Sequence, residues 1–326
     1  GKLGGILYIA KLLTIVHKLR GYDIVQLINP MFLELKAERI FSIYRYLRKH
    51  NKKVILGGFG MDYYWVHVCC QDKPLRYSDF NIGDKLRNNA DALKERKEWL
   101  GTTKERLNRM IAEDCDGIIT GLYEYWACYY PNFPRKTTFI PFPIRSYAHT
   151  ADISYAIPQK IKLFIGINKL RSEYKGTDIM LKAAQTIAEK YPEKVELRVA
   201  ESLPFKQYVE MMNGSDAILD QLYSYTPSMN PLEAMARGII CIGGGEPENY
   251  EIIHETQLKP ILNVLPTYES VYQQLEQLVL HPERIPQLKK ESIEYINKHH
   301  DYMKVAKKYE EYYKDTLCCQ SEETRL

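Results

Sequence analysis

Short apolar runs alternate along the chain with longer segments whose apolar residues recur at helical spacing. The apolar runs predict strands at 23–28, 53–58, 117–120, 137–141, 162–167, 195–200, 217–221, 239–244 and 260–264. The helical spacing predicts helices over 33–49, 94–113, 176–190, 205–213, 231–237, 266–279 and 283–299. Strands that alternate with helices are typical of parallel sheets covered on both faces. We therefore predict an α/β fold.

A stretch rich in proline and small polar residues, 141–160, divides this pattern into halves and is typical of an interdomain linker. We predict a Rossmann-like domain over 1–150 and a second one over 151–300. Residues 301–326 then form a polar helix that packs across both domains, followed by a loose tail. Because the chain opens with a helical pattern and not with a strand and a glycine loop, we expect the first domain to lack its first βα unit, as in a truncated chain.

Composition and charge narrow the class of protein. Seven cysteines without a C-x-x-C pair indicate neither a disulfide framework nor a zinc site, which favours the reducing cytoplasm. A net charge of +4 without a clustered nucleic-acid motif excludes nucleic acid as the expected partner and suits phosphate-bearing ligands. The first 20 residues have a basic amphipathic pattern, which predicts a helix packed on a sheet or, alternatively, one lying on the inner face of a membrane.

A candidate phosphate site follows the strand at 162–167. Gly166 stands at the end of this strand, Arg171 and Lys175 follow on a turn, and a helix begins directly afterwards. Cations beside a helix start bind phosphate, and ligands of open α/β sheets lie beyond the carboxyl ends of the strands. The alternative is that both cations are solvated loop charges.

The stretch "TPSMNPLEAMARG" forms a second strand–turn–helix unit. In one interpretation Asn230 caps the helix and Glu233 closes a capping box on it. In the other, backbone N–H groups around Ser228, Met229 and Asn230 bind a diphosphate, and Glu233 accepts hydrogen bonds from a ribose diol. Local chemistry leaves both interpretations open.

Three segments together resemble the C-terminal domain of group 1 (family 4-like) glycosyltransferases of the bacterial surface polysaccharide type. They are "KLRSEYKGTDIMLKAAQTI", "SDAILDQL" and "LEAMARGIICIGGGEPENYEII", and the resemblance covers about residues 160–255. "FIPFPI" before them is similar to the family's domain junction. The resemblance implies the GT-B fold, in which two doubly wound Rossmann-like domains face a central cleft.

The resemblance also implies an activity. Such enzymes transfer a sugar from a nucleotide-diphosphate donor to a glycan or lipid-linked acceptor in polysaccharide or glycoconjugate biosynthesis. It places Arg171 and Lys175 on the donor diphosphate and Glu233 on the donor ribose. We expect a retaining transfer that needs no metal and no cofactor besides the donor, since the cations already face the leaving group.

One position departs from the family pattern. The family carries a glutamate eight residues before the one matched by Glu233, beside the donor sugar, and here that position is Tyr225. We count Tyr225 among the donor-binding residues, although the replacement leaves open which sugar is bound and whether the protein is active. Two alternatives therefore stand beside the transferase: a non-catalytic nucleotide-sugar or glycan-binding protein, and an epimerase-like GT-B enzyme.

The first half offers weaker candidates. Asp62 in "GGFGMDYYW" contacts an acceptor hydroxyl and acts as its base, or else it caps the following helix. We expect His67 to be structural and the aromatic cluster at 123–130 to pack in the core rather than against a sugar. The segment 243–248, "GGGEPE", lines the donor pocket or forms a plain turn.

Overall fold

A computed structural model describes residues 8, 11–12, 14–145, 153–168 and 171–318. Two parallel sheets, one in each half of the chain, organise these residues. This arrangement confirms the predicted α/β class.

The first sheet has four parallel strands in the order β1-β2-β5-β6. They are β1 (Ile24–Leu27), β2 (Lys53–Gly58), β5 (Gly117–Thr120) and β6 (Thr137–Phe139). Its helices are α1 (Ala37–His50), α2 (Tyr63–Gln71), α3 (Ala90–Trp99), α4 (Thr103–Asp114) and α5 (Tyr123–Tyr129). A small antiparallel hairpin, β3 (Asn81–Ile82) with β4 (Lys85–Leu86), projects between α2 and α3.

The second sheet has five parallel strands in the order β11-β10-β9-β7-β8. They are β7 (Ile161–Ile167), β8 (Val195–Glu201), β9 (Ala217–Leu219), β10 (Ile240–Gly243) and β11 (Leu262–Asn263). The helices are α6 (Ser172–Lys175), α7 (Thr177–Lys190), α8 (Phe205–Met212), α9 (Met229–Met235), α10 (Pro247–Ile252), α11 (Tyr268–Leu280) and α12 (Ile285–Tyr295). A 3-10 turn at Pro282–Arg284 precedes α12, and a π-helical turn at Ile296–His300 follows it.

Burial explains why the apolar runs became strands. Val54, Ile55 and Leu56 in the middle of β2 have no exposed surface, because helices cover both faces of the sheet. In α1 the buried positions Ile40, Tyr44 and Leu47 recur at helical spacing and pack into the same core. The period of the sequence pattern is therefore the period of burial.

The structure confirms the nine predicted strands, with ends that shift by at most two residues. The predicted helix over 94–113 is wrong as a single element: α3 ends at Trp99, α4 starts at Thr103, and Gly101 between them has a positive φ of 70°. The periodicity of the sequence did not predict α2, α5, α6 or α10, although the capping interpretation of Asp62 required a helix after that residue. Of the predicted N-terminal helix, residues 8, 11–12 and 14–16 are helical, and the rest of 1–13 lies outside the described residues.

The last helix, α13 (Tyr302–Cys318), returns to the first sheet after the second is complete. Its Val305 is buried with Ile55 and Ile119 of that sheet, and the Tyr313 hydroxyl donates to the Gln26 side chain. A backbone bridge between Ile144 and Asp301 lies at the start of this helix. The predicted boundaries at 150 and 300 stay predictions, and the tail beyond 318 lies outside the described residues.

Candidate functional site

Two loops lie side by side at the carboxyl ends of the neighbouring strands β7 and β9. The Leu222 N–H donates to the Lys175 carbonyl at 3.0 Å, which joins the loops directly. Gly176 has a φ of 74°, and a Cβ there would lie 2.6 Å from the Leu222 Cβ, so only glycine permits this approach. The structure thus brings the two sequence-predicted loops together at one edge of the sheet.

The two candidate phosphate-binding cations lie in the first of these loops. The Arg171 guanidinium lies 4.7 Å from the centre of the Tyr174 ring. Lys175 lines a cavity of about 60 Å³ between the two halves of the chain, together with Asp79 and Glu124 from the first half. Residues 169–170, directly before Arg171, lie outside the described residues.

Glu233 lies in α9, the helix that follows the second loop. This helix begins at Met229 with Ser228 as its N-cap, so Asn230 is its second residue and Glu233 its fifth. The capping interpretation of Asn230 and Glu233 is therefore wrong, because a capping box needs the carboxylate at the third position. The Glu233 carboxylate instead pairs with the Arg237 guanidinium at 2.7 Å, and both side chains are about 22% exposed.

A polar cluster fixes the start of α9. The Asn230 amide donates to the Tyr208 hydroxyl at 2.7 Å and to the Asp220 carboxylate at 2.9 Å. The Ser228 hydroxyl donates to the same carboxylate at 3.3 Å. A Cβ on Gly166 would lie 2.5 Å from the Tyr208 ring, so Gly166 makes room for that tyrosine. Sequence analysis missed Asp220, although its place at the end of a buried strand was a signal.

A cleft of about 750 Å³ opens between α8 and α9. Glu233 and Asn230 line it with two largely exposed apolar side chains, Phe205 (77%) and Met229 (48%). Ligand sites are commonly clefts of this size, with apolar walls and a few polar groups. The cleft thus combines a carboxylate acceptor with surfaces on which a flat ring can pack.

Asp62 occupies a different position from the one predicted for a base. Its side chain is fully buried, accepting from the Trp65 N–H at 2.9 Å and from the Tyr129 hydroxyl at 2.7 Å. Burial raises the pKa of this carboxyl to about 6. The role on an acceptor hydroxyl is wrong for this structure, because a side chain without exposed surface cannot meet an acceptor. Asp62 is the N-cap of α2, the alternative that the sequence had left open.

The other candidates of the first half are mainly structural. The His67 ring stacks on Tyr63 with the ring centres 4.9 Å apart. Tyr129 and Cys128, from the aromatic cluster, are buried in the first core, as predicted. Glu124 of the same cluster is an exception, because it reaches the second half of the chain.

Tyr225, at the position where the family has a glutamate, is 1% exposed and packs between the two halves. Its hydroxyl accepts from the Arg76 N–H at 2.6 Å. Its ring lies between those of Tyr77 and Tyr123, with centre distances of 4.9 and 5.9 Å. This tyrosine joins the first half of the chain to the second, and its predicted role in donor binding is wrong for this structure because its side chain has almost no exposed surface.

Charged side chains of the first half bind three loops of the second. Arg76 pairs with Glu246 at 2.7 Å and with Glu248 at 2.5 Å, within the segment "GGGEPE". Arg87 donates to the carbonyls of Glu173 and Tyr174 at 2.8 and 3.0 Å. Glu124 accepts from the N–H groups of Tyr225 and Thr226. Sequence analysis missed these contacts because each joins residues more than 80 positions apart.

The electrostatics of this contact region follow from burial. Burial raises the pKa of the Glu124 and Asp79 carboxyls, although the hydrogen bonds they accept act in the opposite direction. Burial and the neighbouring Glu246 raise the pKa of the Tyr77 phenol, whose hydroxyl donates to that carboxylate at 2.5 Å. Within the part of the chain that the structure describes, no three His, Cys, Asp or Glu side chains group closely enough to hold a metal ion.

A search for membrane spans in the described residues finds no helix with the length and apolar character to cross a bilayer. No family model matches the sequence, and the search of the curated proteins gives no match either. Comparison with solved structures, in contrast, gives many matches.

The matching structures include glycosyltransferases with bound nucleotides. Sucrose-phosphate synthase from Thermosynechococcus elongatus matches with a TM-score of 0.61 and 13% identity, over 94% of this chain and 77% of that one. HepE from Anabaena, in complex with UDP and glucose, matches with a TM-score of 0.60 and 12% identity, over 96% and 82%. TarM from S. aureus, in a complex containing UDP, matches with a TM-score of 0.57 and 9% identity, over 85% and 54%.

This chain therefore spans about half the length of TarM. At 9–13% identity the likeness concerns the backbone arrangement. The two Rossmann-like domains with their parallel sheets and the match to these structures together show that the chain has the GT-B fold of nucleotide-sugar glycosyltransferases.

Proposed function

We propose that this protein is a glycosyltransferase that moves a sugar from a nucleotide-diphosphate donor to a glycan or lipid-linked acceptor. The observation that carries the proposal is the pairing of the loops after β7 and β9. The first loop holds Arg171 and Lys175, and the second leads into the cleft that contains Glu233. The UDP and UDP-glucose bound in the structures with the same fold support a nucleotide donor.

Arg171 and Lys175 would stabilise the leaving group. As the glycosidic bond of the donor breaks, negative charge grows on the diphosphate, and fixed cations there lower the barrier by about 3 kcal/mol each. The α9 helix has only seven residues, so we assign the diphosphate to the two side chains rather than to this helix start. With two cations in place, the transfer needs no metal ion.

Glu233 would recognise the ribose. A carboxylate accepts hydrogen bonds from both hydroxyls of a ribose diol, while Phe205 and Met229 offer apolar surface to the base. Arg237, paired with Glu233 at 2.7 Å, would hold the carboxylate in orientation.

The finer parts of the proposal rest on the family resemblance of the second half. They are a retaining transfer, a place in polysaccharide or glycoconjugate biosynthesis, and a location in the cytoplasm or against the inner face of a membrane. Because Asp62 is buried, the acceptor would bind to other residues of the first domain.

Two observations favour a second candidate, a non-catalytic nucleotide-sugar or glycan-binding protein. Tyr225 fills the position of the family's first glutamate, and the cavity beside Lys175 measures only about 60 Å³. A nucleotide-sugar site is typically several times larger, so the sugar enters only if the two domains separate.

The deciding experiment measures UDP release from UDP-glucose and UDP-N-acetylglucosamine, with and without a panel of glycan and lipid-linked acceptors. A transferase releases UDP only with an acceptor present, at a rate that chelation leaves unchanged. Binding of the donors without release identifies the binding protein. Interconversion of the donor sugars without acceptor identifies the epimerase-like enzyme.

A further inference from the structure

A buried carboxylate of the first domain holds a loop of the second. Glu124 in α5 accepts hydrogen bonds from the Tyr225 N–H at 2.5 Å and the Thr226 N–H at 3.0 Å. The Thr226 hydroxyl donates to the other oxygen of the same carboxylate. Glu124 is 4% exposed, so both oxygens lie away from water.

This contact forms only if the two domains are together. A carboxylate removed from water is costly unless donors replace its hydration, and all three donors belong to the loop after β9. If the domains separated, Glu124 would return to water, and the N–H groups of Tyr225 and Thr226 would lose their acceptor. The order of the loop and the closure of the domains are therefore linked.

The contact between Glu124 and this loop is close to both parts of the proposed donor site. Thr226 stands two residues before Ser228, the N-cap of α9, and that helix carries Glu233. Glu124 also lines the small cavity that contains Lys175, beside the proposed diphosphate position. One side chain of the first domain thus contacts the loop that leads to Glu233 and lines the cavity beside Lys175.

We propose that Glu124 is a positioning residue, through which closure of the domains fixes the loop that begins the donor-binding helix. The inference rests on the proposed function, and it explains how a chain with Tyr225 in place of a glutamate keeps a carboxylate at this loop. The carboxylate comes from the opposite domain and binds backbone groups instead of ligand.

Hydrogen exchange measures this contact without any ligand. In Glu124→Ala we expect the Tyr225 and Thr226 amides to exchange at least about tenfold faster, since a lost charged hydrogen bond is worth more than 1.4 kcal/mol. Glu124→Gln keeps an acceptor oxygen and an amide that donates to the Thr226 hydroxyl, so we expect exchange within about threefold of wild type. Thr226→Val, which removes one donor, should lie between the two.

A matched control exists within the second domain. Glu255 also accepts from two backbone N–H groups, those of Gln257 and Leu258, at 2.9 and 3.0 Å. Glu255→Ala should speed exchange at 257–258 and leave 225–226 unchanged. Unchanged exchange at 225–226 in both Glu124→Ala and Thr226→Val would overturn the inference.

Calorimetry with UDP tests the link to the donor site. We expect Glu124→Ala to weaken UDP binding about tenfold, while Glu124→Gln and Glu255→Ala bind within about threefold of wild type. Faster exchange with unchanged UDP affinity would reduce Glu124 to a structural contact and overturn the positioning role. Loss of turnover in Glu124→Gln with normal exchange would overturn it too, because the charge would then act on the reacting atoms.

If wild type binds no UDP, UDP-glucose or UDP-N-acetylglucosamine, the proposed function fails and the donor role of Glu124 fails with it. The exchange rates still report separately whether Glu124 fixes the loop.

Discussion

At the scale of single residues, burial decides which carboxylates are available for chemistry. Asp62 and Glu233 were both candidates in the sequence, each near the start of a helix. The structure places Asp62 inside the first core and Glu233 in an open cleft. A side chain enclosed by protein donors can cap a helix or hold a loop, whereas a ligand contact needs exposed surface.

Asp62 predicts a pH-dependent stability. Its folded pKa of about 6 lies above the ordinary value of 3.8, so its contribution is fully present below pH 3.8 and is lost as the pH rises through 6. The shift of about two units corresponds to roughly 3 kcal/mol. The stability of wild type minus that of Asp62→Asn should therefore fall by roughly this amount between pH 4 and pH 8, measured by urea unfolding.

Subtracting the stability of Asp62→Asn from that of wild type removes the contribution of His300, whose pH dependence has the opposite sign. Burial lowers the pKa of His300 to about 4, so its stabilisation is present above pH 6.5 and is lost as the pH falls through 4. His300 is the same in both proteins. A difference in stability that stays constant with pH would show that Asp62 is not the source of the dependence.

Glu233 predicts the recognition of ribose. Glu233→Gln keeps a hydrogen-bond partner for Arg237 but removes the charge that, in the proposed function, would accept from both ribose hydroxyls. We expect UDP and uridine to lose about 1–3 kcal/mol of binding, with an unchanged melting temperature. A 2′,3′-dideoxy analogue of UDP should bind to wild type and variant alike in calorimetry.

The matched control for this variant is Glu210→Gln, because Glu210 lines the same cleft from the neighbouring helix α8. It should leave UDP affinity within about twofold of wild type. Equal losses in both variants would mean that the cleft responds only to its total charge.

At the scale of elements, the two loops lie side by side because β7 and β9 are neighbours in the sheet. Parallel strands bring their carboxyl ends to one edge, so residues far apart in sequence meet there. Gly176 then lets the loops touch, as its positive φ and the close Leu222 side chain require.

We predict that substitutions in the loop after β7 selectively weaken the binding of the diphosphate. Arg171→Ala and Lys175→Ala should each weaken UDP by roughly 1.5–3 kcal/mol and leave uridine nearly unchanged, since they remove charge-assisted contacts to phosphate. Calorimetry with both ligands measures the split. Lys182→Ala, on the following helix α7, is the control and should change neither affinity.

At the scale of the whole molecule, charged contacts join the two domains. Arg76, Arg87 and Glu124 each extend from the first domain to a different loop of the second. The cavity beside Lys175, which Glu124 also lines, measures about 60 Å³. If the protein binds a nucleotide sugar as proposed, we expect the domains to move apart and close again.

We predict that Arg76 stabilises the closed arrangement of the two domains. Arg76→Ala removes two ion pairs and leaves the buried Glu246 with fewer partners, which favours the open arrangement. We expect a larger radius of gyration by small-angle X-ray scattering without ligand, and a return toward the wild-type value with saturating UDP. Lys190→Ala, which breaks an ion pair with Glu276 within the second domain, should leave the radius unchanged.

The sequence by itself determined the strands and their parallel arrangement, because a buried strand is a continuous apolar run and its burial repeats in the pattern. It also determined that Arg171 and Lys175 follow one strand and Glu233 another. A loop that follows a strand in the sequence always leaves from the carboxyl end of that strand. The aromatic character of α2 and α5 hid their helical period, so the periodicity predicted neither, and only the capping interpretation of Asp62 indicated α2.

Only the tertiary structure decided what each polar side chain contacts. The sequence could not separate the two interpretations of Asp62, because capping and ligand binding need the same carboxylate and differ only in burial. Nor could it find Glu124 or Arg87, whose partners lie in the other domain and leave no periodic signal. The local pattern determines the helices and strands because burial repeats with their period. The contacts between the two halves depend instead on how the two sheets are placed relative to each other.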